Sequence, residues 1–175
     1  LTGWGFADMW AKSRPVPEVA AELAGRQHGV VSRPQLLAAG LTSSGIDGWL
    51  RHGHLHRLHR GVYAVGHPRI SQEGRWLAAV LTCGPGSFLS HGPAGQLLGL
   101  VNRRERFALH VSRRGRTGRS PAGIVTHHPR SLPLADTTVR LGIPVTTPTR
   151  TVWDLSASLS PAQLRRAFEQ AEKFG

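Results

Sequence analysis

Apolar residues at Val16, Val19, Ala20, Leu23 and Ala24 recur three and four positions apart, which places them on one face of an α-helix. Pro15 and Pro17 suit its first turn, where a missing N–H costs nothing. Gly25 and then His28-Gly29 end it, and Val30-Val31 make a short extended link. Ser32-Arg33-Pro34-Gln35 is a capping box with proline in the first turn, so a second helix starts at Ser32. It turns Leu36 and Leu37 inward and stops at Gly40. Thr42-Ser43 cap a third helix with the buried stripe Ile46, Trp49 and Leu50, ended by Gly53. The run HLHRLHRGVYAVG then alternates around Leu55 and Leu58, turns at Arg60-Gly61 and returns through Val62–Val65. Glycine supplies the turn's positive φ at low cost. Three short helices followed by a basic hairpin are the pattern of a winged helix-turn-helix.

After His67-Pro68, a predicted hinge, the periodicity changes character. Glu73 to Cys83 reads as a helix with Trp76, Leu77 and Val80 inward, and Phe88-Leu89 as a brief strand. Ser90 caps a small helix, HGPAGQLLGL, that Gly99 ends. Three strand-like runs follow, 107–112, 123–128 and 137–145, the last broken at Gly142. Thr147-Pro148 starts a helix carrying Val152, Trp153 and Leu155. A second capping box, Ser160-Pro161-Ala162-Gln163, starts a last helix with Leu164, Ala167, Phe168 and Ala171. The fold class is therefore α+β: a winged helix-turn-helix over 15–66, then a small mixed α/β domain over 69–175. Residues 1–14, with Trp4, Phe6 and Trp10, form an N-terminal arm to which no function is assigned.

Charge sharpens this picture. The 175 residues carry 22 Lys+Arg against 10 Asp+Glu, a formal net charge of +12. Such a balance favours a polyanionic partner. No apolar run approaches the ~20 residues of a membrane span, so no membrane partner is expected. Cys83 is the single cysteine. It rules out an intramolecular disulfide, fits a reducing, cytoplasmic compartment, and reads as a small buried residue.

The third helix and the wing are the candidate interface with double-stranded DNA. A helix in the major groove reads base edges with its exposed N-terminal side chains, and Ser43, Ser44 and Asp47 stand there. Arg51 and His52 follow, placed for phosphate or guanine. The wing offers His54, His56, Arg57, His59 and Arg60 to the backbone or minor groove. Arg33, at a helix start, adds to phosphate-seeking N–H groups. A second basic centre, 101–130, holds eight Arg against Glu105 alone. Its Arg113, Arg114, Arg116 and Arg119 read as a second DNA contact, a dock for an acidic partner protein, or a solvated loop.

No catalytic residues, cofactor or metal site are expected. Phosphate-binding, zinc-protease and nucleophile-elbow motifs are missing, and the scattered acids, Asp136 and Asp154 included, do not converge as a magnesium-dependent nuclease requires. His52, His54, His56 and His59 follow the alternation that a wing needs anyway. His127 and His128 point to opposite faces of a strand. Ser90 and His91 are adjacent, a poor arrangement for a dyad, and Ser90 is explained as a helix cap.

The stretches GVVSRPQLLAAGLTSSGIDGWLRHGHLHRLHRGVYAVGHP, EGRWLAAVLTCGPGSFLSHGPAGQLLGL and GIPVTTPTRTVWDL resemble the AbiEi-family antitoxins of actinobacteria. The resemblance implies a winged helix that binds promoter DNA and represses its own operon. It also implies a second domain that neutralises a nucleotidyltransferase toxin in a type IV toxin–antitoxin pair. Many similar chains continue into a Vsr-like endonuclease domain, which gives an alternative reading: the DNA-recognition portion of a longer DNA-cleaving or repair protein.

Overall fold

The computed structural model describes residues 16–115 and 120–174. The order in the N-terminal part is α1 (Val16–Arg26), β1 (Val30–Ser32), α2 (Arg33–Ala38), α3 (Ser43–Arg51), β2 (Leu55–His59) and β3 (Val62–Val65). The three strands form an antiparallel sheet in the order β1-β3-β2, which is the winged helix-turn-helix arrangement. The extended link at Val30-Val31 is thus a paired strand, with Val31 opposite Tyr63.

Local groups set these boundaries. Gly25 lies inside α1, and the helix ends where His28 and Gly29 turn to φ 55° and 83°. The Ser32 N–H and Oγ both donate to Gln35 Oε1, at 2.8 and 3.0 Å. Thr42 Oγ1 accepts the Gly45 N–H at 3.1 Å and so caps α3. Ala20, Ala24, Val31, Leu36, Ile46, Leu55 and Tyr63 make the core, with Trp49 and Leu50 half-buried against it. Leu37, expected inside, is 43% exposed. In so short a helix only one of two adjacent leucines faces the core.

The rest of the described chain is α4 (Gln72–Cys83), β4 (Ser87–Leu89), α5 (His91–Leu98), β5 (Leu109–Arg113), β6 (Ile124–His127), β7 (Thr137–Arg140), β8 (Ile143–Thr146), α6 (Pro148–Leu155) and α7 (Pro161–Ala171). Its sheet is mixed, in the order β6-β5-β4-β8-β7, with β5–β6 and β4–β8 parallel. The run 137–145 is a hairpin rather than one broken strand. Leu141 at φ 50° and Gly142 at φ 74° make its two-residue turn, as turns matching strand twist require. α4 and α5 are buried nearly all round. Trp76, Leu89, Val111, Ile143 and Val145 lie at the centre of the core, with Cys83 among them.

Two glycines let α5 sit this deep: a Cβ on Gly95 would crowd Val101 and Leu155, and one on Gly92 would collide with Phe107. Gln96 Nε2, buried in the same helix, donates to the carbonyls of Asn102, Arg103 and Glu105 and so ties down the following loop. Trp153 and Phe168 are 76% and 55% exposed. With Phe174 they line an open groove of about 1010 Å³ between α6 and α7.

The N-terminal sheet packs on α4. Val30 and Val62 pack on Ala78 of α4, and His28 Nε2 donates to the Leu141 carbonyl at 2.7 Å. His67-Pro68 therefore join parts that share a small core. No described helix is long and apolar enough to cross a membrane. Residues 1–14, assigned to an arm, lie outside the described residues.

Candidate nucleic-acid interface and a half-buried histidine cluster

On α3 the buried side is Ile46, and Ser43, Ser44, Asp47 and Arg51 are exposed, as are His52 and His54 beyond its end. The helix thus presents a polar face held by its own caps. Thr42 Oγ1 also lies 3.1 Å from Ser44 Oγ. His52 turns back, and its Nδ1–H donates to the Gly48 carbonyl at 2.8 Å, closing the helix end. His54 meets the edge of Trp49, with ring centroids 6.1 Å apart.

Arg33, Arg57 and Arg60 come together. All three line a groove of about 790 Å³ beside the wing turn, which Val80, Leu81 and the residues 84–87 wall from the other side. The Arg33 N–H donates to the Gly61 carbonyl at 2.7 Å, so the start of α2 and the wing turn are one unit. His56 is half-buried in β2. Burial also pushes the His59 imidazole below its usual pKa. Ser43, Ser44, Asp47 and Arg51 are not among the groove's lining residues.

The second basic centre divides. Arg114 is committed inside the protein: its Nε donates to the Leu132 carbonyl at 2.7 Å, its Nη2 to Thr137 Oγ1 at 3.2 Å, and its guanidinium lies over the Phe88 ring. Arg113, at the end of β5, is half-buried. Arg116 and Arg119 lie outside the described residues.

A second constellation was not foreseen. The Ser90 N–H donates to the His110 carbonyl at 3.0 Å, which sets the start of α5 against β5. The Ser90 side chain makes no cap bond. His91 follows at φ 54°, a conformation that costs a non-glycine residue about 1–2 kcal/mol. This backbone twist places Ser90 Oγ 3.0 Å from His91 Nδ1. The expectation that adjacent residues would not meet this way is thereby corrected, whereas Ser90 does hold the N-cap position of α5, without a side-chain cap bond.

His110 on β5 and His127 on β6 complete the group, with His110 Nδ1 2.8 Å from His127 Nε2. The parallel register pairs Ser112 with His127, so His110 and His127 are diagonal neighbours on one face. His91 stacks on His127 with centroids 3.8 Å apart. His128 faces elsewhere and binds the Gly115 carbonyl. Burial, and then mutual repulsion with His127, His110 and Arg150, lowers the His91 pKa to about 3. Burial first, with repulsion from a neighbouring histidine, also lowers His110 and His127.

Below the cluster, Arg150 Nε donates to Asp154 Oδ1 at 2.9 Å, and its Nη1 to Asp136 Oδ2 at 3.1 Å and the Ser131 carbonyl. The two scattered acids are thus brought together by one arginine. Burial raises the Asp154 pKa while Arg150 opposes it. Asp154 Oδ2 is buried without a hydrogen-bond partner.

No curated protein matches the chain. Among solved structures it is similar to the RV2827C protein from Mycobacterium tuberculosis, at 18% identity over 91% of this chain and 76% of that one, with a TM-score of 0.45. Residues 18–66 match the family described as "Transcriptional regulator, AbiEi antitoxin". The stretch that matches this family of transcriptional regulators is therefore the one that carries the winged helix.

Proposed function

We propose that this chain is a sequence-specific repressor of its own operon and the antitoxin of a type IV toxin–antitoxin pair. The observation that carries the reading is that the family match and the winged fold fall on the same residues, 18–66. Ser43, Ser44 and Asp47 face base edges in the major groove, Asp47 accepting from a cytosine amino group. Arg51, His52, His54 and His56 extend the contact. Arg33, Arg57 and Arg60 clamp phosphates beside the wing. Arg113, Arg116 and Arg119 supply a second basic contact. The activity is binding, in the cytoplasm, and a nucleotidyltransferase toxin is the protein partner of the C-terminal domain.

The test is a gel-shift titration against the chain's own upstream DNA, with random DNA as competitor, at about 50 and 200 mM salt. Site-specific binding that survives the higher salt supports a regulator. Sequence-blind binding that vanishes with salt overturns it.

A further inference from the structure

Three imidazoles converge from three separate elements. One ring nitrogen from each of His91, His110 and His127 lies within 4.8 Å of the other two. We propose that they form a binding site for a borderline transition-metal ion of the Zn²⁺/Co²⁺ class, with His91 Nε2, His110 Nδ1 and His127 Nε2 as ligands and one coordination position open.

The chemistry of the donors fits. Metal-binding histidine must be neutral, and burial lowers the pKa of all three, His91 to about 3. Neutral imidazole suits zinc, cobalt, nickel and copper, whereas magnesium and calcium want oxygen.

The surroundings fit as well. A ligating histidine usually holds a polar partner on its other nitrogen, and His91 Nδ1 has Ser90 Oγ at 3.0 Å. His127 feels the carboxylate of Asp154, whose Oδ2 is buried and unpartnered. Arg150, Asp136 and Asp154 together carry one net negative charge, which offsets part of the ion's own. The positive φ at His91 is also accounted for, because strain of this kind persists where the surroundings over-determine it.

Closing on an ion requires a small movement. Nitrogens about 2.0–2.1 Å from zinc in a tetrahedron are about 3.3–3.4 Å apart. His110 Nδ1 and His127 Nε2, at 2.8 Å, therefore separate by about half an ångström, and the stacked rings turn about χ2 so that their lone pairs converge. Both are side-chain adjustments within β5, β6 and the start of α5.

The test uses the whole chain without a histidine tag, stripped with a chelator. Co²⁺ is titrated in while its visible d–d absorption is followed, and Zn²⁺ is titrated with NMR detection of the histidine ring nitrogens. One ion per chain, with shifts confined to His91, His110 and His127, is the expected result. His110→Ala and His127→Ala should each weaken binding by about 100-fold or more, and a His52→Ala/His54→Ala/His56→Ala variant should bind as wild type. The ring-nitrogen spectra decide the matter in wild-type protein even if a cluster variant fails to fold. Absence of stoichiometric binding overturns the site, as does binding that perturbs the wing histidines instead.

Discussion

Gly92 lies so close beneath Phe107 that a methyl group on its Cα would sit 2.8 Å from the Phe107 Cβ and closer still to the ring. α5 reaches the sheet only because this position has no side chain. Gly92→Ala must push Phe107, the loop that Gln96 anchors, or the helix itself. A loss of about 1–3 kcal/mol is expected, readable by urea unfolding. Gly99→Ala, where only the positive φ is at stake and no atom lies in the way, should cost about 1–2 kcal/mol.

The histidine cluster makes stability depend on pH. The unfolded His91 has a pKa near 6.5, and the folded one about 3. Between these values the unfolded chain binds the proton and the folded chain does not, so stability rises with pH across that window. The neutral ring's contribution is full above pH ~6.5 and is lost progressively as the pH falls toward 3. His110, His127 and Arg150 face the ring and reinforce the shift, whereas Asp154 acts on His127 in the opposite sense. In chelator-treated protein, melting temperature should fall more steeply below pH 6.5 for wild type than for His91→Asn. Asparagine tolerates the left-handed backbone, so the comparison isolates the imidazole. Parallel curves would contradict the assignment.

Arg150 is held between two unequal carboxylates. The Asp154 side chain is 7% exposed and that of Asp136 is 35% exposed. Removing the arginine leaves Asp154 buried with no cation beside it, so Arg150→Met should destabilise by about 3 kcal/mol. Asp136→Asn removes the wetter pair and should cost no more than about 1 kcal/mol. Equal losses in chemical denaturation would show that the buried charge is not the dominant effect.

The α3 face and the wing should fail differently when mutated. Arg60→Ala should weaken all DNA sequences alike and lower the slope of log K against log salt by about 0.9. Asp47→Ala should leave that slope in place and change the preferred base, with a discrimination loss of about 1–3 kcal/mol at one position. Salt-series binding to a small operator library separates the two.

The winged part was legible in the sequence because its boundaries are set by near neighbours: Ser32 with Gln35, Thr42 with Gly45, and Gly61 at the turn. The cap of α7, Ser160 with Gln163, was legible for the same reason. The histidine cluster was not. His110 and His127 are 17 residues apart and become neighbours only through the parallel pairing of β5 and β6. Nothing local announces that pairing, and His91 enters only through a backbone angle unusual for its residue type. Arg114 looked like surface charge because its partners, Leu132 and Thr137, are 18 and 23 residues away. Hydrophobic spacing also overstated burial at Leu37, since periodicity marks a face without saying what covers it.

Ser32 ends β1 and opens α2, and the next residue's N–H is fastened to the Gly61 carbonyl in the wing turn. Helix and turn are therefore hinged to the same two peptide units and cannot sway separately. A partner meeting this surface finds it already shaped, so little conformational entropy is lost on docking. Association here should resemble a key entering a lock, with discrimination residing in how slowly it leaves.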